Sequence, residues 1–259
     1  MAAVTHITSR RNPLLSRLRK LADEGGAYRR LGAILLEGEH LCAAWAARRE
    51  APVLHAIVAA AAWDDPHLRA LAHAAPQIAV VAEGVMGTLG TLESAAPIAF
   101  LVATPERAGV AADAPTIVLD RVQDPGNVGS VLRSAAAFGF GQVLALVGTA
   151  ALWSPKVVRA GMGAHFGMRL IEPADDAVLD AMKVPLFGTS SHAAERIDAY
   201  PLPWPCAWVF GHEGQGIAPA LAARCRAMLA IAQPGGGESL NVAAAAAVCL
   251  YETARRHGR

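Results

Sequence analysis

From Thr116 onward the chain is marked by short, nearly continuous apolar runs: IVLD (117–120), QVLALVG (142–148), MRLIE (168–172), VPLFGT (184–189), CAWVFG (206–211) and MLAI (228–231). A strand that is apolar at successive positions has both of its faces buried, unlike the alternating strand of a one-sided sheet. Helical segments beginning near Val128, Lys156, Asp175 and Ile217 separate most of these runs, and Ser239 to Arg256 reads as one long alanine-rich helix. Apolar strands alternating with helices predict a parallel sheet covered on both sides.

The N-terminal part has a different rhythm. Residues 12–22 place apolar side chains at helical spacing with arginines between them, and AILLEGEH (33–40) reads as a strand leading into a helix through Leu41–Arg48. VLHAIVA (53–59), IAVVA (78–82) and residues 98–102 are further short strands. The stretch 105–115 carries proline, small residues and charge without an apolar period, so it reads as a linker. The expected organisation is a small α/β domain over 1–104, the linker, and a parallel-sheet domain over 116–259. With 259 residues, of which 54% are hydrophobic and 17% charged, the chain has the material for two such cores and is not disordered.

Net charge is +1, so nothing global announces a nucleic-acid partner. The distribution is more informative. Arg10, Arg11, Arg17, Arg19, Lys20, Arg29 and Arg30 crowd the first thirty residues, against only Asp23 and Glu24. Such a cluster suits phosphate groups and equally suits a solvated helix face. The four cysteines (Cys42, Cys206, Cys225, Cys249) lie far apart and read as buried small hydrophobes, with no metal site among them. The first residues lack the apolar core of a signal peptide, and no run reaches membrane-span length. A soluble, cytoplasmic protein without membrane partners is expected.

In a parallel α/β sheet, ligands gather in the loops at the carboxyl ends of strands. Three such loops are rich in glycine and polar residues: 119–140, 209–217 and 231–248. The first is not a dinucleotide fingerprint, because Pro125 stands in its turn and Gly126 and Gly129 have another spacing. A phosphate-binding G-x-x-x-x-G-K-[ST], a zinc-binding H-E-x-x-H and a G-x-S-x-G elbow are all missing from the sequence.

Taken in order, these loops resemble the three motifs of the SpoU/TrmH branch of the SPOUT RNA methyltransferases. Asn127, Gly129, Arg133, Phe138 and Gly139 carry the first; Gly211, Glu213, Gly214 and Gly216 the second; Ile231, Glu238, Ser239, Leu240, Asn241 and Val242 the third. Ala232 and Gln233 stand where the family usually has Pro and Met. More loosely, AILLEGEHLCAAW (33–45) and the basic opening helix are similar to the ribosomal-protein-like domain that precedes many catalytic domains of the family.

The resemblance implies a trefoil-knotted parallel-sheet domain that transfers a methyl group from S-adenosylmethionine to a ribose 2′-hydroxyl, in ribosomal RNA or transfer RNA with the N-terminal domain favouring ribosomal RNA, as a homodimer with its active site near the interface. It implies Arg133 at the reacting hydroxyl, with the proton leaving to phosphate, water or a carboxylate such as Glu213. Thr189, Gly211, Gly216, Ile231 and Leu240 are expected around the cofactor, and Arg10, Arg11, Arg17, Arg29 and Arg30 on the RNA. Asn127, Glu213, Ser239 and Asn241 are expected beside Arg133 in the catalytic site, with Asn127 capping the helix that carries Arg133, Ser239 capping the last helix and Asn241 in its first turn. His212 is taken as a filler of its motif. The rival readings are a non-enzymatic RNA-binding protein, a base methyltransferase and, more remotely, a nucleotide dehydrogenase.

Overall fold

The computed structural model of the chain describes residues 2–48, 51–87, 89, 96–236 and 239–258. These divide into two compact units: the residues up to Glu106 together with Trp153–Phe166, and Arg107–Leu152 together with the residues from Gly167 onward.

The first unit runs β1 (Ala3–Ile7), α1 (Pro13–Asp23), α2 (Ala27–Leu31), β2 (Ala33–Glu37), α3 (Glu39–Arg48), β3 (Val53–Ala59), α4 (Pro66–Ala72), β4 (Gln77–Val81), α5 (Glu83–Met86) and β5 (Ile98–Ala103). Its sheet has the order β1-β4-β3-β5-β2. Both β1 and β3 lie parallel to β4, whereas β5 is antiparallel to β3 and β2. Helix α1 begins where Pro13 fixes the first turn and the Asn12 side chain accepts from the Leu14 amide at 2.9 Å. Its Leu15, Leu18, Leu21 and Ala22 are buried, the helical stripe that the sequence spacing predicts.

The chain continues through β6 (Thr116–Asp120), α6 (Pro125–Ala137), β7 (Gln142–Leu146), α7 (Pro155–Ala160), β8 (Arg169–Ala174), β9 (Leu186–Thr189), β10 (Glu195–Arg196), β11 (Ala207–Gly211), α8 (Pro219–Ala222), β12 (Ala227–Ala230) and α9 (Val242–Arg256). Of these, α7 belongs to the first unit. There Trp153 and Phe166, which flank it, pack edge-on against Trp45 with ring centroids 6.2 and 5.0 Å away. A purely sequential division of the chain assigns this segment to the C-terminal part, because nothing local marks its partner.

The sheet of the second unit has the order β10-β12-β9-β11-β6-β7-β8, and every neighbouring pair is parallel. Strands β6, β7 and β11 are buried along their whole length, which is why they read as unbroken apolar runs. Helices α6 and α9 pack against each other, and Trp208 on β11 donates its indole N–H to the buried Thr253 hydroxyl on α9 at 3.0 Å. No helix among the described residues is long and apolar enough to cross a membrane.

Candidate active site

In the second unit the carboxyl ends of β9, β11 and β12, with the segment entering α9, enclose a cavity of about 420 Å³. Its wall includes Thr189, Gly211, Gly216, Ile231 and Leu240, the five residues expected around a cofactor, together with Glu213 and Ser239. Ile217, Met228, Leu229 and Val242 add apolar surface. Glu213 is the one formally charged side chain among the described lining residues, so the wall is suited to a cationic ligand.

The loop after β11 is folded tightly on itself. The His212 amide donates to the Gly216 carbonyl at 3.1 Å, and the Gly216 amide donates back to the His212 carbonyl at 2.8 Å. A Cβ at Gly211 would stand 2.3 Å from the Gly216 carbonyl carbon and the Ile217 nitrogen, so only glycine fits this crossing. His212 proves more than a filler. Its Nδ1 accepts from the amides of Gly214 and Gln215 at 3.0 and 3.2 Å, which requires an unprotonated Nδ1.

Glu213 ties this loop to the start of α6. Its Oε1 accepts from the Asp124 amide at 3.1 Å and from Asn127 Nδ2 at 3.0 Å, and its Oε2 accepts from the Gln123 amide at 3.2 Å. Partial burial pushes the Glu213 carboxyl up, but the bonds from Asn127 and the backbone amides outweigh it and hold the group below its ordinary value. A carboxylate so satisfied is a weak base, so the geometry argues against Glu213 as proton acceptor and for a role in holding the loop.

Asn127 passes the connection onward, because its Oδ1 accepts from Asn241 Nδ2 at 2.9 Å. Asn241 Oδ1 in turn accepts from the Ala243 and Ala244 amides at 2.9 and 3.3 Å. Both capping expectations therefore move by a few residues. Asp124 caps α6, accepting from the Asn127 amide at 2.7 Å, with Pro125 as first helical residue. Asn127 sits inside the first turn with its side chain free for Glu213. Asn241 caps α9 in place of Ser239, which is exposed on the cavity wall.

Arg133 lies six residues beyond Asn127 on α6, about 9 Å of helix rise. It is exposed, lacks a hydrogen-bond partner among the described residues and does not line the cavity. Gly237 and Glu238 of the third motif lie outside the described residues. Two further residues went unnoticed in the sequence: Asp120 and Arg121, at the carboxyl end of β6, reach the cavity loop from behind. A proline-glycine signal marks the turn that follows them, but nothing marks the pair itself.

The arginines of the first unit divide by role. Arg17 is half-buried and donates to the Leu31 carbonyl at 2.8 Å, which fixes it as a structural link between α1 and α2. Arg10, Arg11, Arg29 and Arg30 are exposed; Arg10 donates to the Gly84 carbonyl at 2.9 Å and Arg30 pairs with Glu24 at 2.8 Å across open solvent. The cysteines are packing residues: burial pushes the Cys206 thiol up to about 12 and that of Cys225 to about 11. No group of three or more metal-ligating side chains occurs among the described residues.

Solved structures share this architecture. An RNA 2′-O ribose methyltransferase superposes with a TM-score of 0.82 at 28% identity, over 98% of this chain and 100% of that one. The SpoU methyltransferase AviRb from Streptomyces viridochromogenes, solved with the cofactor AdoMet, gives 0.85 at 25% identity over 95% and 98%. The fold and its cavity thus define an RNA methyltransferase of the parallel-sheet kind. Residues 114–251 match the SpoU rRNA Methylase family, and the chain belongs to that family. Among its relatives is the 23S rRNA (guanosine(2553)-2′-O)-methyltransferase RlmP of Bacillus subtilis, 29% identical over 220 residues, which cover 84% of this chain and 86% of that protein.

Proposed function

We infer that the chain transfers a methyl group from S-adenosylmethionine to a ribose 2′-hydroxyl of ribosomal RNA. The observation that carries this reading is that two distant glycine and polar loops line one cavity while the third is tied to them by the Glu213–Asn127–Asn241 hydrogen bonds. The cavity suits the cofactor in volume, in its mixture of apolar and hydroxyl groups, and in the sign of the one formally charged side chain among its described lining residues. When bound, S-adenosylmethionine supplies an electrophilic methyl on a sulfonium.

Transfer of that methyl to a ribose oxygen would be an in-line displacement, the carbon–sulfur bond breaking as the carbon–oxygen bond forms and the sulfur leaving as a neutral thioether, so alignment would contribute more than charge stabilisation. The cavity loop, fixed by Glu213 to the start of α6, holds one reactant in place. Arg133, exposed and without a hydrogen-bond partner among the described residues, engages the hydroxyl and lowers the cost of ionising it. The hydroxyl proton leaves to water or to a phosphate oxygen of the RNA, since Glu213 is held as the carboxylate by its partners. Arg10, Arg11, Arg29 and Arg30 supply phosphate contacts from the first unit.

The chain is assigned to a cytoplasmic homodimer whose interface lies near the active site. Supporting this, Val248 and Tyr251 of α9 are 40% and 52% exposed, and Phe138 at the end of α6 packs edge-on against Tyr251 at 5.8 Å. A second copy is the covering surface such an apolar face calls for. Light scattering of the wild type and of Tyr251→Asp tests this, with a dimer and a monomer the expected results. The catalytic reading is tested by tritium transfer to unmodified ribosomal RNA, comparing wild type with Arg133→Ala.

A further inference from the structure

We propose that Asp120 and Arg121 are positioning residues that hold the 212–217 loop in its cofactor-binding form, a role that rests on the methyltransferase reading above. Neither residue lines the cavity. The Asp120 carboxylate is only 5% exposed, and it meets the Arg121 guanidinium through two parallel bonds, Nε to Oδ1 at 2.9 Å and Nη2 to Oδ2 at 3.1 Å. Asp120 Oδ2 also accepts from the Ala218 amide at 2.7 Å, just past the loop. Arg121 reaches over the loop itself, donating from Nη1 to Gln215 Oε1 at 3.0 Å and from Nη2 to the Gly216 carbonyl at 3.3 Å. One ion pair therefore grips both the tip and the exit of the loop that forms a cavity wall.

The backbone at Arg121 shows that the arrangement is a specific one. Its φ is +58°, a left-handed conformation that disfavours every residue but glycine, asparagine and aspartate. The Arg121 amide is held there by the Thr149 hydroxyl at 3.1 Å, and that hydroxyl donates to the Leu119 carbonyl at 3.0 Å. Its side-chain stem lies across Gly148, where a Cβ would come within 2.9 Å of Arg121 Cγ. An arginine in a glycine-type conformation, seated on a glycine, satisfies no local preference; its guanidinium contacts with 215 and 216 supply the compensating interaction. Burial pushes the Asp120 carboxyl up, but the bonds from Arg121 and Ala218 outweigh it, so the pair remains ionised.

The test compares wild type, Arg121→Asn and Arg121→Lys by calorimetric titration with S-adenosylmethionine, melting temperature, and hydrogen exchange of the 214–218 amides. Asparagine tolerates the left-handed backbone and removes the guanidinium together with the outer part of the stem. The dissociation constant is expected to rise about tenfold in Arg121→Asn, with faster exchange confined to the loop. Lysine keeps the charge and the backbone strain but loses the fork, so it should recover less than half of the lost affinity. Affinity within about twofold of wild type in both variants overturns the proposal, as does a lowered melting temperature with unchanged affinity, which is the mark of a merely structural pair. If Arg121→Asn fails to fold, Arg121→Lys decides alone, and full wild-type affinity in it overturns the proposal. If the wild type itself does not bind S-adenosylmethionine, the cofactor reading falls. Faster loop exchange in the variants then still supports the positioning role, and unchanged exchange overturns it.

Discussion

Replacing Glu213 with glutamine separates a base from a brace. The carboxylate accepts three hydrogen bonds, two at Oε1 and one at Oε2. A glutamine carbonyl serves the two donors at the first position, but its NH₂ then faces the Gln123 amide, donor against donor. One charge-assisted bond is lost; in a group this exposed, solvent screening reduces its worth to about 1 kcal/mol. Loop order and alignment should suffer by that amount, so kcat/KM falls about fivefold, at every pH alike. A general base in the same place would behave differently. Its removal costs on the order of a hundredfold to ten-thousandfold and abolishes the acid limb of the pH profile. The assay is kcat and kcat/KM against pH for wild type and Glu213→Gln with saturating RNA. A loss of a hundredfold or more, together with a vanished acid limb, would refute the reasoning.

Other substitutions test the supporting geometry. Gly211→Ala forces a methyl into backbone 2.3 Å away, so it should cost roughly 2–3 kcal/mol and lower the melting temperature by roughly 5–10 °C; an unchanged melting temperature contradicts the crossing. Asn241→Ala removes the cap of α9 and the link to Asn127, an effect of about 1 kcal/mol that calorimetry would read as a fall of about 2–4 °C. Acid should weaken the fold through Asp120. Its folded value lies below its ordinary 3.8, so its stabilisation is complete above that value and is lost as the pH falls through the lower one. Urea midpoints measured from pH 5 downward should therefore fall less steeply in Asp120→Asn than in wild type, and parallel slopes would count against the pairing.

Much of the second unit was legible because its central strands are buried on both faces, so IVLD, QVLAL and AWVFG announce themselves without needing a partner. Strand β1 was not, since only Ile7 of AVTHI is buried and the rest shows no apolar alternation. The two-residue β10 is too short to carry any period. The caps were ambiguous for a different reason. Asp124 and Asn127 both precede the apolar run of α6 and both suit a cap; Pro125, which fits a first helical position, favours Asp124. Ser239 and Asn241 posed the same choice without such a tiebreaker. The cavity residues were readable as motifs, whereas the functions of Asp120 and Arg121 depend on contacts tens of residues away or on a backbone angle that no local pattern encodes.

The most direct test of the central claim is to incubate purified protein with tritiated S-adenosylmethionine and unmodified ribosomal RNA, then to hydrolyse the product with alkali. The account predicts label at one linkage that resists alkali, because a methylated 2′-oxygen cannot attack its phosphate, and loss of that label in Arg133→Ala. Label carried on a base at an alkali-sensitive linkage, or transfer undiminished in Arg133→Ala, would contradict it.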